Sequence, residues 1–67
     1  MKRWNLWYAD VPESGYMDWI DLPDVRGDDI DGYMLENFDA EPTQVCDEGR
    51  LRFYENLEFH FRAEEGA

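Results

Sequence analysis

The sequence predicts an α+β domain: a small antiparallel β-sheet of three to four strands with one short α-helix packed on a face, in the order β-β-α-β-β. Three observations carry that prediction. Apolar residues recur with period two near both ends of the chain, as in Trp4, Leu6 and Tyr8 and again from Leu51 onward. Between them Ile30, Met34 and Phe38 recur at the spacing of one helix face. Turn chemistry separates these runs. Period two places alternate side chains on one side of a strand, and i, i+4, i+8 places them on one side of a helix.

The elements are justified in chain order. Arg3 to Val11 reads as a strand, with Trp7 making both faces apolar. Pro12-Glu13-Ser14-Gly15 is a turn, since Pro presets φ and Gly admits a left-handed residue. Tyr16 to Leu22 reads as a second strand, and the pair as a hairpin at a sheet edge. Leu22-Pro23-Asp24 and Gly27 break the pattern. A helix is expected from about Asp28 to Phe38, capped by Asp28 or Asp29, with Leu35 beside the buried stripe and Gly32 weakening it by about 1 kcal/mol. Glu41-Pro42 stops it. Thr43 to Cys46 is a short strand, and Asp47-Glu48-Gly49 a three-residue hairpin loop with Gly left-handed. Leu51 to Arg62 alternates as one strand with a bend at Glu55, and residues 63–67 read as a frayed tail. The expected core is Trp4, Trp7, Trp19, Tyr33 and Phe53.

Sixty-seven residues make a single domain, one that buries only about 60% of its unfolded surface. With 43% hydrophobic and 16% aromatic residues, the chain has the apolar content that disorder lacks. One cysteine, Cys46, excludes an internal disulfide, and small secreted domains usually need several. The expected location is therefore a reducing cytoplasm. No stretch is long and apolar enough to span a membrane, and Lys2-Arg3 does not lead into the apolar run of a signal peptide.

Charge is the dominant feature. The net charge is −11, and Asp18 to Glu48 holds eleven acids against the single base Arg26. That segment therefore carries −10 of the total. Such crowding costs stability through self-repulsion, so a use for the field is expected. Direct binding to nucleic acid or anionic lipid is excluded by repulsion. The partner that fits is a basic surface. Carboxylates two apart on a strand are about 6.8 Å apart, close to the roughly 6–7 Å between phosphates along a nucleic-acid strand. The candidate acidic face comprises Asp18, Asp21, Asp24, Asp28, Asp29, Asp31, Glu36 and Asp39, with Trp19 and Tyr33 as aromatic contacts.

Other chemistry is weakly represented. Aligning Gly32 with the glycine of a calcium loop puts Gly27 and Phe38 where ligands belong, so no metal site is expected. His60 and Cys46 are the only histidine and thiol, and no catalytic signature surrounds them. No cofactor motif occurs. Neither catalysis nor a cofactor is expected, and the state should be a monomer or weak dimer.

A short, acidic, aromatic-rich chain of this kind resembles the small anti-CRISPR proteins of phages and mobile elements, several of which are acidic DNA mimics, and the resemblance extends to inhibitors of type I systems, type I-C included. Trp19-Ile20-Asp21 is similar to a Trp-Ile-Asp stretch in plasmid antirestriction proteins, which are also acidic DNA mimics. The resemblance implies inhibition of a CRISPR-Cas complex by blocking target DNA binding, with the nucleic-acid-binding surface of a host defence complex as partner. The alternatives are an antirestriction mimic, or an acidic protein–protein adaptor or antitoxin-like protein.

Overall fold

The computed structural model describes residues 1–10 and 18–66. The expected turn Pro12–Gly15, the strand end at Val11 and the strand start at Tyr16 and Met17 lie outside the described residues.

Among the described residues are five strands and one α-helix: β1 (Arg3–Asp10), β2 (Ile20–Arg26), α1 (Ile30–Phe38), β3 (Glu41–Cys46), β4 (Leu51–Glu55) and β5 (Phe59–Glu65). The strands form one antiparallel sheet in the order β2-β1-β5-β4-β3. The α+β class is as expected; the strand count is five, one more than the largest expected. The extra strand arises because Leu51–Arg62 is a hairpin and not one strand. Asn56 turns the chain. Its side-chain Oδ1 accepts from the backbone N–H groups of Glu58 and Phe59 at 2.9 and 2.7 Å, and its own backbone N–H donates to the Phe59 carbonyl at 3.0 Å. This turn shifts the parity of the alternation: Tyr54 pairs with Phe61 and Phe53 with Arg62. Phe53 therefore lies on the opposite sheet face from Phe59 and Phe61.

Residues 63–65 are not a frayed tail. They continue β5 along β1, Ala63 is fully buried, and the Gly66 N–H donates to the Arg3 carbonyl at 2.7 Å. β2 begins and ends later than expected and runs through Pro23. Leu22 and Val25 pair with Leu6 and Trp4, leaving Pro23 and Asp24 opposite one residue of β1 in a bulge. An edge strand tolerates proline because one side needs no donor. β3 likewise runs through Pro42, with an extra residue, Thr43, between the pairs Pro42–Tyr54 and Gln44–Phe53.

α1 starts two residues later than expected. Asp29 is its N-cap, accepting from the Gly32 N–H at 3.0 Å. Asp39 closes it in a left-handed conformation (φ 52°), and the N–H groups of Asp39 and Ala40 donate to the Leu35 and Met34 carbonyls. Thus the helix ends on its own cap, ahead of Pro42. Ile30 and Met34 are buried, as the stripe requires, with Phe38 packed against them. Leu35, expected beside them, is 53% exposed. Trp4, Leu6, Val25, Tyr54, Phe61 and Ala63 complete the core from the sheet side. Of the five expected core aromatics only Trp4 is fully buried. Tyr33 packs against the core from its margin. Trp7, Trp19 and Phe53 are partly buried, and Trp7 and Phe53 lie on the face away from the helix.

A polar tie joins helix and sheet. The Tyr54 hydroxyl donates to Asp31 Oδ1 at 2.5 Å, Arg52 Nη1 donates to the same oxygen at 3.2 Å, and the Arg52 guanidinium lies 5.5 Å from the centre of the Trp4 ring. Burial first, then the hydrogen bond to Asp31 and its charge, push the Tyr54 hydroxyl well above the ordinary phenol range. Asp47 to Gly49 form the loop between β3 and β4, with Gly49 at φ 91° as the hairpin reading requires.

Candidate partner-binding surface

Among the described residues none that is buried is charged, so the described carboxylates all reach the surface. Their positions are set by the elements that bear them. Asp18 is exposed just before β2. Asp21 and Asp24 are exposed on β2, which is a sheet edge, and both line one shallow cleft with Asn5 and Trp7 of β1. Asp28, Asp29 and Glu36 line a second concavity of about 370 Å³ with Arg26 and Tyr33, where β2 passes into the helix. Glu36 is brought there by helical spacing from Asp29 and Gly32.

Several of these acids also have local structural duties. Asp24 lies 3.6 Å from the Arg3 guanidinium, a half-exposed pair that contributes little. Asp28 accepts from the Lys2 backbone nitrogen at 3.1 Å. Asp29 caps the helix, and Asp31 is held by Arg52 and Tyr54. Asp18, Asp21 and Glu36 make no hydrogen bond or ion pair among the described residues.

Asp39 does not join that group. It lines a separate cavity of about 420 Å³ with Glu41, Pro42, Thr43, Glu55, Asn56 and Leu57, beside the β4–β5 turn. Of the eight expected acids, Asp21 and Asp24 thus share one cleft, Asp28, Asp29 and Glu36 share another, and Asp31 and Asp39 line concavities beside β3. Sequence reasoning missed Glu55 because it belongs to the nearly neutral C-terminal part of the chain; pairing of β3 with β4 sets it opposite Glu41. Five strands at about 4.8 Å spacing put the two edges roughly 19 Å apart.

The two expected aromatic contacts are not exposed anchors. The Trp19 ring centre lies 6.3 Å from that of Phe53, so Trp19 reaches across the sheet face opposite the helix. Tyr33 stacks edge-on against Phe38 at 6.2 Å. On the Trp19 side of the sheet Arg62 sits 4.9 Å from the centre of the Trp7 ring and pairs with Glu64 at 3.1 Å.

His60 Nδ1 lies 3.7 Å from Glu55. Cys46 pairs with Leu51 and His60 with Glu55, at opposite ends of β4, about 13 Å apart along the strand. The two do not form a pair. Among the described residues no three His, Cys, Asp or Glu side chains converge as metal ligands, and no helix is long and apolar enough to cross a membrane. Comparison with protein families, with curated proteins and with solved structures found no match to this chain.

Proposed function

We propose that this protein is a phage- or mobile-element-encoded inhibitor of a bacterial CRISPR-Cas complex, acting as an acidic DNA mimic that occupies a basic channel and blocks target DNA binding. The observation that carries the reading is the placement of acids along both long edges of one small sheet: Asp21 and Asp24 on β2, Glu41 on β3 with Asp47 and Glu48 at its end. A nucleic-acid duplex likewise offers two separated lines of negative charge. Lysines and arginines that hold a DNA backbone would meet carboxylates instead, arginine in bidentate pairs. Inhibitor and DNA then compete for one site, with association that is fast and falls with salt.

The test is competition. A purified type I-C surveillance complex is incubated with labelled target DNA and increasing inhibitor. The variant to compare is D18K/D21K/E36K, because these three acids have no structural partner among the described residues and the fold should survive their reversal. Wild type should displace DNA, and the triple variant should need at least ten times more protein. Equal potency for a folded triple variant would remove the acidic edge from the mechanism. Binding that persists at about 0.5 M salt, where the Debye length is only a few Å, would favour the adaptor reading.

A further inference from the structure

The helix does not cover the whole sheet. Nine helical residues span about 13 Å, while five strands span roughly 19 Å. β1, β2, β4 and β5 all contribute to the core, and β3 contributes nothing. Every residue from Glu41 to Val45 is exposed. The space between α1 and β3 is a groove of about 440 Å³ lined by Asp31, Gly32, Leu35, Ala40, Glu41 and Pro42. Its apolar walls are unusual for exposed positions: Leu35 keeps 53% of its surface. Val45 keeps 58% and lies farther along the helix side of β3, opposite Arg52, whose side chain reaches Asp31.

We infer that this groove is a docking site for an apolar side chain of a protein partner, carried on a segment with basic residues on either side of it. Charge complementarity selects that occupant. None of the six lining residues is basic, and the carboxylate on the helix side, Asp31, keeps about half of its side chain exposed after pairing with Arg52. An apolar side chain would cover Leu35 and Pro42 while flanking lysines or arginines meet Asp31 and the field of a chain that carries −11. A second copy of the chain would bring another −11 against the same acids, and a polynucleotide would be repelled. The partner's basic character rests on the proposed inhibitor function. The groove adds an apolar, salt-insensitive anchor to it, of the kind that fixes residence time while charge fixes encounter rate.

A peptide titration tests the groove without any defence complex, so its failure and that of the DNA competition are separate results. Two short peptides of equal charge are titrated into the ¹⁵N-labelled protein, one alternating lysine with leucine and one alternating lysine with serine. The leucine peptide should shift the amides of Gly32, Leu35 and Glu41 saturably, and the serine peptide should bind at least about ten-fold more weakly, the scale of one buried leucine side chain. L35N should remove that difference, and L35Q serves if L35N does not fold. Equal binding of both peptides, or unchanged leucine-peptide affinity in either folded variant, would overturn the inference. So would self-association in sedimentation that L35N abolishes, since the occupant would then be a second copy.

Discussion

The two edge strands are built with the same devices and embedded differently. β2 and β3 each carry a proline, Pro23 and Pro42, and each has a register shift beside it. Each also bears acids. A proline lacks a donor, a bulge twists the edge away, and charge resists stacking, so both edges are protected against pairing with another strand. Yet β2 sends Val25 into the core and Leu22 against it, while β3 sends nothing. The difference lies in where each strand leads. β2 passes through Gly27 into the helix start, where the Gly27 N–H donates to the Lys2 carbonyl at 2.9 Å and the Trp4 indole N–H donates to the Gly27 carbonyl at 3.2 Å. β3 passes into a surface loop. Edge protection is thus independent of edge burial, and some of the acidity serves to keep the sheet from aggregating.

The comparison breaks most visibly at two valines. V25D places a charge in the core and should cost about 3 kcal/mol or more, enough to unfold much of a domain this size. V45D should stay within about 0.5 kcal/mol of wild type. Urea denaturation of both variants checks this, and similar losses would mean that β3 is buried after all.

The Asp31–Tyr54–Arg52 tie fastens the helix toward the β4 side. Y54F removes one hydrogen bond to a carboxylate and should cost about 2 kcal/mol. It also has a pH signature. The folded state raises the Tyr54 hydroxyl above its unfolded value, so above about pH 10 the unfolded chain releases a proton that the folded chain retains. The stability this group contributes is complete below that pH and is lost as pH rises further. Wild type should therefore lose stability from about pH 10 upward more steeply than Y54F, as read by urea midpoints.

A smaller effect is expected at the helix start on the β2 side. D29A should cost about 1 kcal/mol through loss of the cap. Gly32 would ordinarily gain from replacement by alanine, but a Cβ there would collide with the capping carboxylate. G32A should therefore be close to neutral in wild type and stabilise D29A by about 1 kcal/mol, a coupling that a double-mutant cycle in thermal denaturation detects. Smallest of all, moderate salt should raise the melting temperature by about 3 °C by screening both acidic edges. A steady fall would show that attractive ion pairs such as Lys2–Glu65 outweigh the repulsion.

Much of the fold was legible in residues whose signals are local. The Asp29 cap, the Ile30 and Met34 stripe, and the Gly49 loop are read from a few neighbouring positions, and the structure has all three. The misses came from signals that only tertiary context resolves. Asn56 turns the chain by side-chain hydrogen bonds in a segment whose alternation runs on past it, and Leu57 at the tip, wholly exposed, disguises the turn as strand. Pro23 reads as a strand end because only an edge position makes it tolerable within a strand. On the candidate surface, composition located the acids but not their division, since Asp39 lies near Glu36 in sequence and is carried away by its left-handed cap. Leu35 fits a core stripe by spacing, and its exposure depends on how far a short helix reaches across a wide sheet.

The strand order has a consequence for how the molecule comes into being. β1 and β5 are neighbours at the centre of the sheet, so the first strand finds its inner partner only when the last of the five exists. During synthesis β1 and β2 can do no better than a lone hairpin, which is marginal in water. A ribosome must release β5 before the core can close.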